Sequence, residues 1–362
     1  MQNRRIFFGN FFLGGAVSLI ASSRAHASEK YRALDEDAIP VRVPGQTMLC
    51  AIESVGKRLI AVGEHGVIVY SDDKGASWIQ AKVPVNVTLT AVTFAGSGDG
   101  WAVGNYGVIL HSFDGGETWE KQLDGFQAEQ LTLAAAQAAV AAKSTSPGEP
   151  LALARANHLI GMGPSIPFLS VIALDQQRVL AVGAYRMAMY TTDGGKTWQD
   201  WSLNIPDPVS HNIYDIASIS GALYLVGEAG LVFRSGDGGA SFDQLGPTGA
   251  GTLFGICGTS AGGLLVYGVA GLLFRSDDGG KSWTKIQMPV TADLTAAVET
   301  TSGTIILASE SGLIYRSTDQ GQSFEPSPER LPMAVYALAL ESGGRIVTAG
   351  SSGIIALPQN FF

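Results

Sequence analysis

AVGEHGVIVYSDDKGASW, residues 61–78, decides the fold because it recurs. Gly63 is followed by Asp73 and then by Trp78. The same frame holds Gly104, Asp114 and Trp119, then Gly183, Asp193 and Trp198. It returns with Gly227, Asp237 and Phe242, with Gly268, Asp278 and Trp283, and with Ser309, Asp319 and Phe324. Gly350 opens a seventh copy whose aspartate position falls at Asn360. Successive aspartates are 41, 79, 44, 41 and 41 residues apart. A repeat of about 40 residues that carries a whole chain marks a unit that buries its apolar faces against copies of itself.

Each copy reads as four short strands. An alternating stretch such as 89–94 comes first, and a glycine-rich turn leads to a second strand. A tight turn, Gly104-Asn105-Tyr106-Gly107, leads to a third, and the Asp-containing loop to a fourth. Short strands bounded by Gly, Asp and Asn indicate antiparallel sheets. A small four-stranded sheet cannot bury both faces alone, whereas radial stacking does so. The expectation is an all-β, seven-bladed β-propeller, with second strands beginning at Leu59, Gly100, Val179, Leu223, Leu264, Ile305 and Arg345. The last repeat stops before its fourth strand. Residues 39–44 align with the fourth-strand segment 79–84, so the N-terminal segment is expected to supply the missing strand of blade seven and remove an exposed edge. The step of 79 holds an insert at about 125–163: an alanine-rich helix over 127–143, a turn at 144–148, and a second helix over 150–158.

Residues 1–27 read as an export signal, with Arg4 and Arg5 before an apolar stretch at 6–20 and Ala25-His26-Ala27 before Ser28. Residues 3–8, NRRIFF, resemble a twin-arginine motif. The propeller then occupies 28–362, and a periplasmic or otherwise exported location is expected. The net charge is -9 and no lysine-arginine run occurs, which argues against a nucleic-acid partner. Cys50 and Cys257 fall in blades one and five, so they read as separate thiols rather than a disulfide.

The loop Ser71-x-Asp73-x-Gly75-x-x-Trp78 and its five complete copies match the Asp-box, or bacterial neuraminidase repeat. The aspartate accepts backbone N–H groups across its own turn, the glycine permits positive φ, and the aromatic ring plugs the loop onto the sheet. Asp73, Asp114, Asp193, Asp237, Asp278 and Asp319 therefore read as structural turn-formers. With seven blades, an export signal and this repeat, the sequence resembles the photosystem II stability and assembly factor family. Segments 233–239, 274–280 and 315–319 look like its repeat. That family consists of seven-bladed Asp-box propellers on the lumenal side of thylakoids, with relatives in non-photosynthetic bacteria. The resemblance implies a non-catalytic scaffold that binds membrane-protein intermediates partly through surface arginines. The corresponding positions here are Arg234, Arg275 and Arg316, whereas blades one to three carry Tyr70, His111 and Tyr190. Should the chain come from a non-photosynthetic bacterium, the expected form of this role is an accessory to an envelope exporter.

The turns between second and third strands share a face with the inter-blade connections, and so with the insert. Glu64, His65, Tyr106, Tyr185 and Arg186 are turn residues on that face, and Arg186 stands where the other six copies have glycine. The inter-blade residues His211, Asn212, Tyr214 and Asp215 point to the same face or the channel mouth. This is a candidate partner or ligand surface. The alternatives are a sialidase-like glycoside hydrolase, which needs two nearby carboxyl groups or a tyrosine nucleophile with an arginine cluster, and a small-ligand-binding propeller. His65, His111, His158 and His211 lack ligand spacing, so no metal and no cofactor are expected.

Overall fold

The computed structural model describes residues 31–143, 151–247, 249–289 and 291–358. Strands form seven antiparallel sheets in which each strand pairs with the next in sequence, six of four strands and one of three. These are the seven blades. In blade one the strands are Leu49–Val55, Arg58–Gly63, Ile68–Ser71 and Ile79–Gln80. The second strand of every blade is almost wholly apolar because both its faces are covered. Leu59 and Ala61 face blade seven, in a cluster with Ala339, Val347 and Ala349. Ile60 and Val62 face blade two, in a cluster with Leu89, Val92 and Ala102. One such cluster fills each of the seven seams among the described residues, and together they close the ring.

The glycine that opens the repeat frame ends the second strand where the entering chain crosses it. A Cβ on Gly63 would lie 2.1 Å from the Met48 carbonyl oxygen, and one on Gly268 would lie 2.0 Å from that of Thr252. Both neighbours are backbone, so neither site can admit a side chain without moving the inner strand.

The N-terminal segment meets blade seven as expected, but not as a regular strand. Ile354 N–H in the third strand of that blade donates to the Gly45 carbonyl at 2.9 Å. Val41 packs with Ile354 and Ala356 in the seam between blades seven and one. The rest of the segment leans on blade one instead: Ala38 N–H donates to Val83 O, and Gln80 bonds Val41 N and Ile39 O with its side-chain amide. Pro40 and Pro44 remove two donors from six residues, which breaks a continuous ladder.

The insert is a helical hairpin of α1 (Gly125–Ala141) and α2 (Ala152–Met162). Asp124 caps α1 in a capping box with Gln127, which starts the helix two residues before the alanine-rich stretch. Ala136, Ala152 and Ala156 form the tight contact between the helices. Ala128 and Leu159 join the core between blades two and three, so the hairpin is docked on the ring. Cys50 and Cys257 are free thiols.

Candidate functional site

The two ends of each third strand define two faces. At one end lie the six Asp-boxes, all built alike. Ser71 Oγ donates to Asp73 Oδ1 at 2.8 Å and accepts from Gly75 N–H; Ser77 donates from both its N–H and Oγ to the same carboxylate. These donors hold Asp73 down at about 2, below the usual carboxylate range, with the Ser77 hydroxyl the largest cause. Every box aromatic reaches into the seam with the preceding blade: Trp119 between blades one and two, Trp198 between two and three, Phe324 between five and six. The boxes therefore join blades, and their aspartates are spent on the turn.

A second joint accompanies each plug, and sequence reading missed it. A carbonyl one or two residues after each box aspartate accepts a hydrogen bond from the preceding blade. Gly115 O accepts from Arg58 at 2.9 Å, Gly194 O from Gln122 at 3.0 Å, and Gly239 O from Asn204 at 3.3 Å. Gly279 O accepts from the Tyr224 hydroxyl at 3.3 Å, Gln320 O from Arg275 Nε at 2.8 Å, and Lys74 O from Arg345. Arg58 and Arg345 hold the same repeat position, five residues before Gly63 and Gly350, but the other four donors come from four different positions, so no signal spans the repeat.

This geometry sorts the three arginines. Arg275 is a latch, and it also pairs with Asp277. Arg234 donates to the Tyr224 hydroxyl and steadies the latch of blade four. Arg316 occupies the same repeat position, but among the described residues the next blade has no box. No hydrogen bond or ion pair holds its guanidinium among the described residues. It lines a cleft of about 240 Å³ between blades six and seven, with Thr300, Ser302, Thr304, Arg345 and Leu357. At the equivalent positions of blades one to three the side chains pack locally: Tyr70 under Arg58, His111 stacked on Trp101 at 4.5 Å, and Tyr190 near Trp201.

The other face carries the tight turns and the insert. The third turn residue has positive φ in every blade, and in most the chain leaving the fourth strand crosses close above it. A Cβ on Gly66 would lie 1.9 Å from Val85 O. Arg186 adopts the same left-handed conformation, at φ 56, directly after Tyr185 at φ 53. It fits because the chain after the fourth strand of blade three is diverted through a 3-10 turn, Ser202–Asn204. The expected surface role fails here: Arg186 is 1% exposed, and its guanidinium bonds the carbonyls of Ile205 and Asp207.

Arg155 of α2 completes the lock. It donates to Tyr185 O at 3.1 Å, Arg186 O at 3.1 Å and Ser202 Oγ at 3.0 Å. Thr132 of α1 adds a bond to Asp200 at 2.7 Å. Two left-handed non-glycine residues cost about 1–3 kcal/mol each, and this clamp offsets that strain. Arg155→Ala is expected to destabilise the docked hairpin by about 3 kcal/mol, because three charge-assisted bonds to buried groups are lost. Limited proteolysis of the hairpin should then speed up about a hundredfold; an unchanged rate would show that the clamp is dispensable.

Of the remaining candidates, Tyr185, His211 and Asn212 do come together. Tyr185 N–H donates to Asn212 Oδ1, Arg186 N–H to His211 O, and His211 Nδ1 sits 2.9 Å from Asp207. His65 is exposed beside Asn86 at 3.2 Å, Tyr106 packs near Tyr31, and Tyr214 meets Phe254 edge-on at 5.3 Å. Glu64 sits on the turn of blade one. Glu64 and His65 share that turn, while Tyr106 and Tyr214 lie elsewhere on the rim. Asp215 does not face the mouth: its carboxylate is held between blades three and five by Ser170 Oγ and Ile256 N–H. Among the described residues no three His, Cys, Asp or Glu side chains converge as metal ligands.

Comparison with known proteins agrees with this architecture. Residues 71–139 match the family described as photosynthesis system II assembly factor YCF48, and residues 189–200 and 274–285 match the BNR/Asp-box repeat. A 77-residue stretch is 34% identical to the photosystem II assembly lipoprotein Ycf48 of Synechococcus sp. (strain CC9902); it spans 21% of this chain and 23% of that relative. Solved structures share the fold. YCF48 bound to D1 peptide has TM-score 0.62 at 17% identity, over 88% of this chain and 97% of that one. YCF48 from Cyanidioschyzon merolae has TM-score 0.62 at 16% identity, over 87% and 96%. The WD40 propeller domain of Doa1 has TM-score 0.63 at 9% identity, over 91% of this chain and 98% of that one. The chain thus resembles the YCF48 assembly factors in repeat and fold. No helix of the described residues is long and apolar enough to cross a membrane.

Proposed function

We propose that this chain is an exported, non-catalytic scaffold that holds a segment of a membrane protein during assembly or operation of its complex. The likeness to YCF48 supports the class, and the leader-like residues 1–27 support export. The observation that carries the reading is the seam between blades six and seven. Among the described residues it has neither the aromatic plug nor the carbonyl latch found where a box is present, and Arg316 stands in the cleft there with no described partner. A guanidinium presented without a protein acceptor suits a carboxylate or backbone carbonyl on a bound peptide. The box aspartates hold their own turns and so have no part in bond cleavage.

The test is capture of one membrane protein from solubilised membranes on the immobilised protein. Arg316→Ala is expected to lower its recovery about tenfold with the melting temperature unchanged, as loss of one charged hydrogen bond implies. Arg275→Ala, a latch variant, should instead lower the melting temperature. Equal recovery with Arg316→Ala, or turnover of a sialoside or glucan panel, would overturn the reading.

A further inference from the structure

The six boxes set a template for what fits a seam. In each of those blades the residue after the box aromatic lies opposite one fixed third-strand position. Tyr70 pairs with Ile79 in blade one, Arg275 with Thr284 in blade five and Arg316 with Glu325 in blade six, and the other three blades follow. The third residue after the aromatic returns its N–H to the third strand: Ala81 to Ile68 O at 2.9 Å, Leu245 to Val232 O at 2.8 Å and Ile286 to Leu273 O at 2.9 Å. Ala81 and Ile286 are buried there. The outer strand thus has the pattern aromatic-x-x-apolar, as in Trp78-Ile79-Gln80-Ala81 and Trp283-Thr284-Lys285-Ile286.

Blade seven has the same positions, but among the described residues it has three strands. Its third strand is Gly353–Ala356, and Ala356 pairs with Val347 as Tyr70 pairs with Ile60. Ala356 therefore stands where the other blades meet the residue after a plug. An antiparallel ladder turns alternate residues outward. Ile354 N–H points out, to Gly45 O at 2.9 Å, and Leu357 N–H points in, to Ile346 O at 2.8 Å. The other outward groups are Ile354 O and the N–H and C=O of Ala356, and no described residue bonds them. Residues 43–46 form a turn, with Gln46 N–H on Val43 O at 3.1 Å, so the N-terminal segment gives this edge one backbone bond. Val41 packs on the face of the strand in the seam with blade one. Leu357 and Pro358, directly beyond the edge, line the Arg316 cleft. An unpaired strand edge is a template for pairing with another chain.

We infer that a segment of another chain completes blade seven, entering as an aromatic residue followed by a short strand in the pattern aromatic-x-x-apolar. The aromatic ring fills the cleft as Phe324 fills the seam between blades five and six. The next residue exchanges both backbone bonds with Ala356, and the apolar residue donates its N–H to Ile354 O. Arg316 holds the place of Arg275 one blade on, and Arg275 donates to Gln320 O, the carbonyl four residues before Phe324. Arg316 then donates to the carbonyl four residues before the partner's aromatic. Main-chain bonds of this kind supply affinity, while the plug and the apolar position supply selectivity. The inference rests on the proposal that this seam holds the partner, and adds the class of segment that it takes.

The probe is a labelled peptide copied from blade five, residues 276–288, SDDGGKSWTKIQM, which carries a box, a plug and an outer strand. Fluorescence anisotropy with the purified full chain measures its binding. The peptide is expected to bind, and its Trp283→Ala version to bind ten or more times more weakly. In the protein, Arg316→Ala and Ala356→Pro should each weaken binding about tenfold with the melting temperature unchanged. Proline at 356 removes an outward N–H that the ladder does not use. Equal binding of both peptides, no binding, or full affinity in either protein variant would overturn the inference. A chain ending at Pro358 is measured beside the full one. Binding confined to the shorter form assigns the seam to residues 359–362 of this chain and sinks the inference as well, whereas equal binding by both forms supports it. Capture of a membrane protein without peptide binding overturns the inference and leaves the scaffold reading in place; peptide binding without such capture does the reverse.

Discussion

Replacing Asp215 by alanine is expected to lower the stability of the ring by about 3–5 kcal/mol, the range for removing one partner from a buried charged cluster. Asp215 lies in the inner strand of blade four, Ile213–Ile219. Its carboxylate accepts from Ser170 Oγ of blade three at 2.9 Å, from Ile256 N–H of blade five at 3.2 Å, and from Ile216 N–H at 2.9 Å. One side chain thus ties three blades together. Alanine leaves two backbone donors and a hydroxyl without an acceptor, each at a cost of about 1–3 kcal/mol, which rotation of the serine partly relieves. Asp215→Asn should fall between, because its amide can serve Ser170 but turns a donor toward Ile256 N–H. Denaturant melts measure both. Equal midpoints for wild type and alanine variant would remove Asp215 from the list of ring-closing groups.

The second large effect is a stability that falls as pH rises from about 4 to about 8. Glu53 lies between blades one and two and accepts from Phe94 N–H at 3.3 Å. Burial raises its carboxyl from 4.5 to about 8, and burial likewise raises Asp215 from 3.8 to about 6. A carboxyl raised by folding favours the protonated native state. Its contribution is complete below the unfolded value and is lost as pH climbs through the folded one. For Glu53 that loss amounts to at most about 5 kcal/mol between pH 4.5 and 8. The box aspartates act in the opposite sense. Asp73, Asp193, Asp278 and Asp319 are held at about 2, so their contribution is present above 3.8 and lost only as pH falls through 2. The melting temperature should therefore peak near pH 4–5. Glu53→Gln keeps an acceptor for Phe94 and should flatten most of the decline toward pH 8. A wild-type melting temperature that stays level from pH 5 to 8 would sink this account.

The ring was legible because its demands repeat. Gly63 and its copies are fixed by a backbone crossing, Asp73 by its own turn, and Trp78 by the seam it fills, so each leaves the same mark every 41 residues or so. The hairpin was legible from composition, but its bounds moved: Asp124 caps α1 ahead of the alanines, and α2 runs Ala152–Met162 rather than 150–158. What the repeat does not impose stayed hidden. The latch donors Arg58, Gln122, Asn204 and Tyr224 share a target but neither a residue type nor a repeat position. Arg186 looked like a surface exception because its burial depends on the path of 202–207, which no local pattern states. Arg234 and Arg275 looked alike with Arg316, and only the partners they find among the described residues separate them.

The central claim is that the open seam at Arg316 is where this scaffold holds its partner. Site-specific photocrosslinking in intact cells tests it most directly, with the crosslinker at Ser302 in the cleft or, as control, at Gln244 on the outer strand of blade four. The expected result is one dominant adduct with a membrane protein from Ser302, absent from Gln244 and lost on adding Arg316→Ala. The same adducts from both positions, or an adduct that survives Arg316→Ala unchanged, would contradict it.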